Sequence, residues 1–309
     1  MYDVIILGAG PAGLSAGLYA GRSKLKTLII EKNISGGQIA TTSTVENYPG
    51  SITEATGMGL SERMEEQAKE YCEFKTADVR DVELEGEVKK VHLDSGEVLE
   101  AKVIIIATGA THRKLEVPGE DEFANMGVSY CATCDGPFYT GLDIFVVGGG
   151  DSAVEEALYL TKFAKSVTII HRRDEFRASQ LLVDRAKENE KIKFELDAIV
   201  SEIKGDTEAK SLLIENVKTR EKKELSSEDG SPIGIFPFVG YIPQTDIFEG
   251  KISMNYGYIL TDEDMKTNIE GVFAIGDTRQ KSVRQMVTAT GDGCIAAVIA
   301  NRYLEGLEW

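Results

Sequence analysis

The sequence predicts an α/β protein of two domains with the same architecture, the second inserted into the first. Three observations support this prediction: a glycine-rich turn between apolar segments near residue 8, a second copy of the pattern 140 residues later, and a C-terminal tail that resembles a return to the first domain. The length of 309 residues is sufficient for two domains.

The first copy of the pattern begins at residue 2 with YDVIILGAGPAGLSAGLYAGRSKLKTLIIE. An apolar run at residues 4–7 predicts a buried strand, residues 12–21 predict a helix, and residues 25–30 predict a second strand that ends in Glu31. In this strand–helix–strand order a glycine-rich turn binds a dinucleotide. The first copy therefore predicts a Rossmann-like, three-layer dinucleotide-binding unit.

The glycines of the first turn, Gly8, Gly10 and Gly13, follow the G-x-G-x-x-G spacing. The first allows a tight turn, the second lets the backbone approach a pyrophosphate, and the third lets helix and strand pack closely. We expect the pyrophosphate at the N-terminus of the helix, where free N–H groups favour an anion. Glu31 would then accept hydrogen bonds from a pair of ribose hydroxyls.

The second copy begins at residue 142 with LDIFVVGGGDSAVEEALYLTKFAKSVTIIHRR. Gly148, Gly150 and Ala153 repeat the spacing with alanine in the third place, and His171 stands where the first copy has Glu31. A repeat in the same register indicates two nucleotide sites in one chain.

The two copies differ in charge at the end of their second strand. The stretch HRRDEFRAS places Arg172, Arg173 and Arg177 beside His171. A guanidinium can bind a ribose 2′-phosphate through two hydrogen bonds, whereas a carboxylate would repel it. The second site is therefore predicted to prefer NADP over NAD; the alternative is a solvated basic surface.

Further stretches follow strands in both copies. AKVIIIATGA, from residue 101, predicts a buried strand followed by Ala107, Thr108 and Gly109, and IGIFPFVGYIP, from residue 233, is its counterpart. Near the end, EGVFAIGDTRQ predicts a short strand before Gly276 and Asp277. An aspartate in this position could hydrogen-bond the ribityl chain of a flavin, cap a helix, or do both.

The order of these segments predicts the domain boundaries. Residues 1–114 and 245–309 form the first, discontinuous domain, and residues 115–244 form the second. The chain would cross between them near Pro118 and Pro243. Two crossings make a double-stranded hinge, which permits rotation about one axis.

The overall composition limits the possible partners. The formal net charge is -17, and so acidic a chain repels nucleic acid and anionic membrane surfaces. The N-terminal segment lacks the basic residues and the long apolar run of a signal peptide, and no stretch reaches the ~18 apolar residues of a membrane span. We expect a cytoplasmic protein.

The stretch YCATCDGPFY contains Cys131 and Cys134, whereas the other two cysteines, Cys72 and Cys294, are isolated. A structural zinc site needs four ligands, and the three histidines show no ligand spacing, so no metal is expected. A redox dithiol is favoured over zinc and over a buried inert pair, because this spacing closes a small disulfide ring and such motifs can lower the pKa of a thiol.

Two nucleotide sites beside a dithiol predict an electron relay. NADPH would give a hydride to a flavin, the flavin would pass two electrons to the disulfide, and the dithiol would reduce an external disulfide by exchange. Asp135 directly follows Cys134 and could move the proton that this chemistry requires. Its alternative role is a turn cap.

Together these motifs resemble the low-molecular-weight thioredoxin reductases of bacteria and archaea. The resemblance covers nearly the whole chain and rests on GAGPAG, GGQIATTSTVENYPG, ATGA, CATCDGPFY, GGGDSAVEEAL, HRRDEFRA, GVFAIGD and RQMVTATGDGC. It implies FAD in the split domain, NADPH in the inserted domain, Cys131 and Cys134 as the redox pair and Asp135 as the acid–base residue. It further implies a homodimer, thioredoxin as acceptor, and an inserted domain that rotates so that nicotinamide and disulfide face the flavin in turn.

The resemblance and the motifs give two sets of expected cofactor residues. Those expected at FAD are Gly8, Gly10, Pro11, Ala12, Gly13, Glu31, Gly36, Gly37, Gln38, Thr42, Asn47, Ala107, Thr108, Gly109, Gly276, Asp277, Arg284, Gln285 and Met286. Those expected at NADPH are Gly148, Gly150, Asp151, Ser152, His171, Arg172, Arg173 and Arg177. Asp151 and Ser152 stand where many members carry Asn or Ser with Thr, a polar exchange expected to matter little.

The alternatives differ in features that the sequence displays. A flavoprotein of the same fold with reduced ferredoxin as donor should lack the arginine cluster or the second glycine motif, and this chain keeps both. A reductase partner of a peroxidase would carry thioredoxin-like domains before the first fingerprint. A ferredoxin–NADP reductase would lack the cysteine pair. A flavin-binding scaffold or sensor would explain the glycine motifs but not Cys131 and Cys134. A different thioredoxin-like acceptor is also possible.

Overall fold

The structure is a computed structural model, and it describes residues 1–41, 45, 47–52 and 55–307. Within these residues no helix is both long enough and apolar enough to cross a bilayer. The strands are β1 (Tyr2–Leu7), β2 (Thr27–Glu31), β3 (Glu73–Thr76), β4 (Val79–Glu83), β5 (Lys89–Leu93), β6 (Val98–Ile106), β7 (Ala110–His112), β8 (Asp143–Val147), β9 (Ser166–Ile170), β10 (Ile192–Glu195), β11 (Ala198–Gly205), β12 (Ala209–Asn216), β13 (Lys222–Ser226), β14 (Ile233–Pro237), β15 (Tyr241–Pro243), β16 (Met254–Asn255), β17 (Tyr258–Ile259) and β18 (Val272–Ala274).

The helices are interspersed among these strands. The α-helices are α1 (Pro11–Arg22), α2 (Gly57–Lys69), α3 (Ala132–Asp135), α4 (Asp151–Leu160), α5 (Gln180–Glu188) and α6 (Met286–Leu304). Short 3-10 helices cover Gly37–Thr41, Gly136–Tyr139, Asp246–Phe248 and Gly276–Thr278.

The chain divides into two compact units. The first comprises Met1–Thr111 and Ile242–Trp309, and the second comprises His112–Tyr241. The second unit is thus an insertion in the first. The chain passes between the units after residues 111 and 241, and each passage lies three residues before the predicted boundary, which was placed after residue 114 or 244.

The first unit is built on a sheet with a parallel centre. The strand order is β3-β2-β1-β6, and β18 pairs with the C-terminal part of β6. The N-terminal part of β6 pairs instead with β5, which continues to β4 in antiparallel fashion. Residues 4–7 and 103–106 are apolar and buried, because both faces of the parallel centre are covered.

Helices α1 and α6 pack on one face of this sheet, where Leu14 and Ala296 join Ile6 and Ile105 in one apolar cluster. The two helices approach closely because small residues line their contact: a Cβ added to Gly293 would lie 2.3 Å from the carbonyl oxygen of Ala12. Each fully buried aliphatic side chain of such a cluster stabilises the fold by about 1.5–3 kcal/mol.

The second unit repeats the arrangement of the first. Its parallel sheet has the order β10-β9-β8-β14, which corresponds strand by strand to β3-β2-β1-β6. Because β14 pairs with β8 as β6 pairs with β1, the predicted correspondence of residues 101–110 and 233–243 is confirmed. A separate antiparallel sheet, β11-β12-β13, packs against this parallel sheet through Leu212 and Ile235.

Candidate active site

The first glycine turn joins β1 to α1 and is fixed by close backbone contacts. Gly8 has a φ of +110°, and a Cβ there would lie 2.4 Å from the carbonyl oxygen of Ala107. A Cβ on Gly13 would lie 1.9 Å from the carbonyl oxygen of Gly8. A side chain at either position would therefore push the turn away from β6 or α1 away from β1.

Other segments expected at FAD lie against the same turn. A Cβ on Gly37 would be 3.5 Å from the Cα of Gly10, and a Cβ on Gly276 would be 3.0 Å from the Cβ of Ala12. Folding therefore brings residues from two distant parts of the sequence to the N-terminal end of α1.

The Ala107-Thr108-Gly109 stretch is held at this end of the sheet as well. The Ala107 N–H donates to the carbonyl oxygen of Leu7 at 2.9 Å. The Thr108 hydroxyl donates to the carbonyl oxygen of Gln244 at 2.6 Å and lies 3.1 Å from the Thr278 hydroxyl. Three expected FAD segments thus surround one glycine turn.

The N-terminus of α1 fits an anionic group. Gly10 is the N-cap residue and no side chain caps the helix, while Pro11 occupies the first turn, where a missing N–H costs little. Within the described part of the chain, no atom lies within 4 Å of a Cβ built on Gly10. Free N–H groups facing open space are what a pyrophosphate requires.

Glu31 lies at the end of β2 beside this turn. Its Oε2 accepts the N–H of Ala9 at 2.8 Å, and its Oε1 accepts the N–H of Asn33 at 3.0 Å. The carboxylate therefore holds the glycine turn to the end of β2, a role that the sequence did not predict. Because an ionised carboxylate can accept about four hydrogen bonds, capacity remains for ribose hydroxyls.

Asp277 lies in the 3-10 helix Gly276–Thr278. Among the described residues its Oδ1 is buried without a hydrogen-bond partner. Burial raises the pKa of this carboxyl above its ordinary value, and the charges of Lys281 and Arg284 oppose that shift. A buried oxygen without a partner costs free energy, and the hydroxyl of a ligand would satisfy it.

A buried ion cluster behind Asp277 holds this turn. Asp292 of α6, 6% exposed, accepts the Gly276 N–H at 3.0 Å, Nε of Arg279 at 2.9 Å and Nζ of Lys281 at 2.9 Å. The sequence analysis missed Asp292. The only sign of Asp292 in the sequence is a single acid within the otherwise uncharged stretch MVTATGDGCIAAVIA.

The N-terminus of α6 contains three further residues expected at FAD. The Gln285 N–H donates to the Thr288 hydroxyl at 3.3 Å, and the Gln285 side chain accepts from Asn47 Nδ2 at 3.2 Å. The guanidinium of Arg284 lies 4.4 Å above the ring centroid of Tyr258. Met286, which begins the helix, is buried.

The remaining expected FAD residues lie after β2. The Gly36 N–H donates to the carbonyl oxygen of Ala9 at 2.7 Å, which holds this segment to the glycine turn. Gln38 lies in the 3-10 helix Gly37–Thr41. Thr42 lies outside the described residues.

The second glycine turn joins β8 to α4 and repeats the geometry of the first. A Cβ on Gly148 would lie 2.5 Å from the carbonyl oxygen of Phe238 and 2.7 Å from the Cβ of Ala153. Gly150 is the N-cap residue of α4, no side chain caps that helix, and the described residues leave open space where its Cβ would be. This turn also fits a pyrophosphate.

The basic segment after β9 is tied to the second glycine turn. The Arg177 N–H donates to the carbonyl oxygen of Gly149 at 2.8 Å. Asp151, the first residue of α4, accepts the Ser179 N–H at 2.7 Å, and the next residue, Ser152, is exposed. The departure at Asp151 therefore has a structural use, since its carboxylate positions the segment that carries the arginines.

His171 differs from the arginines that follow it. It is 6% exposed and stacks on Phe176, with 5.5 Å between the ring centroids. Burial lowers the pKa of His171, and the neighbouring arginines lower it further, so the ring is neutral near pH 7. The exposed cationic groups at this strand end are Arg172, Arg173 and Arg177.

The two cysteines of YCATCDGPFY form a disulfide in the second unit. Cys131 is the N-cap residue of α3, its Sγ accepts the Cys134 N–H at 3.2 Å, and the two Cα atoms are 5.3 Å apart. A single helical turn therefore brings residues three apart within bonding distance. The structure shows the oxidised form of the pair, as a redox role requires.

Asp135 lies directly after this disulfide and is mostly buried. Burial raises the pKa of Asp135, and a hydrogen bond from Ser129 opposes that shift. The Ser129 hydroxyl donates to Asp135 Oδ2 at 2.6 Å and accepts the Cys131 N–H at 3.2 Å. Ser129, which was not predicted from the sequence, thus links the Asp135 carboxylate to the backbone of Cys131. A raised pKa suits a general acid.

Cys72 lies in the first unit and is not a candidate nucleophile. Its Sγ donates to the carbonyl oxygen of Ala68 at 3.2 Å, and burial raises the pKa of the thiol to about 12. At neutral pH such a thiol is almost entirely protonated and therefore inert.

Two glycine turns in a repeated α/β unit, with a disulfide in the second unit, are typical of an oxidoreductase that couples nucleotides to disulfide chemistry. The family model described as "Pyridine nucleotide-disulphide oxidoreductase" matches residues 2–293, and the chain belongs to this family.

Similar proteins cover the whole chain. It is 52% identical over 308 residues to a thioredoxin reductase of Peptoclostridium acidaminophilum, a match that covers 99% of this chain and 98% of that protein. A thioredoxin reductase of Peptoclostridium litorale is 49% identical over 310 residues, with the same coverage. The crystal structure of thioredoxin reductase from Streptococcus pyogenes MGAS5005 has a TM-score of 0.93 at 46% identity and covers 99% of each chain.

Proposed function

We propose that this chain is an NADPH-dependent flavoprotein thioredoxin reductase. Electrons pass from NADPH through FAD to the Cys131–Cys134 disulfide and then to the disulfide of a thioredoxin. The observation that carries the proposal is a disulfide in the same unit as a glycine turn flanked by exposed arginines. Family membership and the similarity to proteins named thioredoxin reductase support it.

The two glycine turns would hold different cofactors. In the first unit, the N-terminus of α1 suits the pyrophosphate of FAD, and the buried Oδ1 of Asp277, which has no partner among the described residues, suits a hydroxyl of FAD. In the second, Gly150 and the exposed arginines suit NADPH, because guanidinium groups bind a 2′-phosphate. When bound, FAD would supply acceptance of a hydride from nicotinamide, which amino-acid side chains alone do not offer.

A residue beside the disulfide can carry one of the two protons of the reaction, and the other comes from solvent. Reduction breaks the S–S bond and yields two thiols, which takes two electrons and two protons. Asp135 lies beside Cys134, and because burial raises its pKa it can carry one of these protons. The dithiol then attacks the disulfide of the acceptor through a mixed disulfide and is itself reoxidised, so the atoms and electrons balance.

The alternatives have less support. Reduced ferredoxin as donor would leave the second glycine turn and the arginines without a use. A flavin-binding scaffold or a ferredoxin–NADP reductase would leave the disulfide without one. We place the protein in the cytoplasm as a homodimer, with thioredoxin as its protein substrate and with neither nucleic acid nor membrane as a partner.

Steady-state reduction of a bacterial thioredoxin tests the proposal. The parent chain should accept NADPH in strong preference to NADH. Exchanging Arg172, Arg173 and Arg177 together for glutamine should lower kcat/KM for NADPH about hundredfold, since hydrogen bonds to a charged phosphate are lost. The low rate with NADH should remain unchanged. Equal rates with both nucleotides in the parent chain would contradict the assignment of the arginines.

A cysteine variant tests the relay. Cys134→Ser should abolish thioredoxin reduction, while NADPH still bleaches the flavin absorbance in anaerobic stopped flow. Cys72→Ser, which changes the inert thiol of the first unit, serves as the matched control and should keep both activities. Thioredoxin reduction by Cys134→Ser at the parent rate would exclude the disulfide from the reaction.

A further inference from the structure

The second unit contains a cavity of about 270 Å³ that extends beyond the glycine turn. Its lining includes Gly150, Asp151 and Arg177. The lining also includes three aromatic residues, Phe238, Tyr130 and His112, which we call the aromatic side of the cavity. The first group belongs to the proposed NADPH site, whereas the aromatic side has no part in the function as stated so far.

The order of the strands in the sheet indicates which half of NADPH the cavity would bind. This inference rests on the proposed function. The glycine turn follows β8, the basic segment follows the neighbouring strand β9, and residues 238–240 follow β14, the neighbour of β8 on the other side. A dinucleotide binds across the carboxyl ends of the strands with its pyrophosphate at the glycine turn. If the phosphorylated adenosine lies toward β9, the other half of the molecule is directed toward β14 and the cavity.

The aromatic side of the cavity is rigidly built. The rings of His112 and Tyr130 are parallel within 7°, with centroids 4.4 Å apart, and Tyr241 packs against His112 at 5.7 Å. The Tyr130 hydroxyl donates to the carboxylate of Glu120 at 2.7 Å. Glu120 is 2% exposed and also accepts the Leu115 N–H at 2.8 Å. The tyrosine is therefore held in place from behind.

The chemistry of this wall matches a nicotinamide. Aromatic rings attract planar rings, and they attract a cationic ring more strongly. Within the described residues Nδ1 of His112 is buried without a hydrogen-bond partner. A carboxamide carries both a donor and an acceptor, so it can pair with either tautomer of that nitrogen.

We propose that Tyr130 and His112 form the binding wall for the nicotinamide half of NADPH, with Glu120 as the residue that positions Tyr130. Burial lowers the pKa of His112, which keeps the ring neutral beside a nicotinamide cation. Replacement of either ring should weaken binding of the whole dinucleotide and leave binding of its adenosine half unchanged.

Calorimetric titration of the oxidised holoprotein tests this assignment with two probes, NADP⁺ and 2′,5′-ADP, which lacks the nicotinamide half. Tyr130→Ala and His112→Ala should each lower the affinity for NADP⁺ about tenfold and leave the affinity for 2′,5′-ADP unchanged. Tyr256→Ala, at a 93% exposed tyrosine of the first unit, is the control and should change neither.

Unchanged NADP⁺ affinity in both alanine variants would overturn the proposal. Tyr130→Ala could weaken binding of both probes by disturbing the unit, and in that case His112→Leu is the deciding variant. His112→Leu keeps the bulk of the wall but removes the aromatic ring. An NADP⁺ affinity equal to that of the parent would then reject the assignment. Failure of the proposed function has a separate signature, since the parent chain would not bind 2′,5′-ADP at all.

Discussion

At the scale of single residues, Ser129 controls two groups of the redox segment at once. Its buried hydroxyl donates to Asp135 Oδ2 at 2.6 Å and accepts the Cys131 N–H at 3.2 Å. The hydrogen bond to Asp135 favours the ionised carboxylate and so opposes the effect of burial on the pKa. The proton affinity of Asp135 therefore depends on a residue outside the two-cysteine motif.

Ser129→Ala should raise the pKa of Asp135 further, because it removes the hydrogen bond that stabilises the carboxylate. In the pH profile of thioredoxin reduction, the limb that reports Asp135 should move to higher pH. Asp135→Asn, which removes the proton-carrying group, should lower kcat about hundredfold. Ser129→Thr keeps the hydroxyl and should keep the parent profile. Identical profiles for Ser129→Ala and the parent would contradict this role.

The same shift has a consequence for stability. Because the pKa of Asp135 in the folded state lies above its unfolded value, protonation favours the fold. This contribution is fully present below the unfolded pKa and is lost as pH rises through the folded pKa. In Ser129→Ala this stability contribution should persist to higher pH before it is lost. Thermal unfolding measured across the acidic range would detect the change.

At the scale of elements, both glycine turns separate packing from binding in the same way. The first glycine of each turn touches backbone: Gly8 approaches Ala107, and Gly148 approaches Phe238. The second glycine, Gly10 or Gly150, faces open space at the N-terminus of a helix. The first position is therefore required by the fold, whereas the second leaves room for the ligand that we propose at each turn.

A pair of alanine substitutions in the second turn separates these roles. Gly148→Ala should destabilise the protein by about 1–3 kcal/mol, because its Cβ would overlap the carbonyl oxygen of Phe238. Gly150→Ala should leave thermal unfolding nearly unchanged and weaken NADP⁺ binding. Thermal unfolding and NADP⁺ titration of both variants check this, and the reverse pattern would refute it.

At the scale of the whole molecule, α6 presents apolar side chains that remain partly exposed within the part of the chain that the structure describes. Val287, Ile295 and Val298 are 45%, 39% and 37% exposed. Their spacing places them on one side of the helix, and Tyr19 of α1 is also 43% exposed. We infer that the homodimer expected from the resemblance covers this surface.

Ile295→Glu should convert the dimer to a monomer of 33.7 kDa, because it would place a charge on the apolar surface that the dimer buries. Light scattering after gel filtration measures the mass. Leu181→Glu, at a 71% exposed leucine of α5 in the second unit, is the matched control and should remain dimeric. A dimeric Ile295→Glu variant would place the interface elsewhere.

Much of the site can be predicted from sequence because local geometry requires particular residues. A strand-to-helix turn with the backbone approach seen at Gly8 and Gly148 has no room for a Cβ, so its glycines are visible as a motif. Cys131 and Cys134 lie one helical turn apart, and their spacing, together with the lack of further metal ligands at suitable spacing in the sequence, favours a redox disulfide. The repeat of strand order followed from the repeat of these local patterns.

The sequence by itself thus determined the repeated α/β units, the two glycine turns and the cysteine pair. Only the tertiary structure decided how buried polar groups are satisfied: Asp292 beneath Gly276, Ser129 between Asp135 and Cys131, and Tyr130 held in the cavity wall by Glu120. The physical reason is that burial and hydrogen-bond partners depend on how the chain folds back on itself, even where the partners are only 2 to 16 residues apart. A motif specifies residue types at a fixed spacing and does not specify which side chains become buried or where they point.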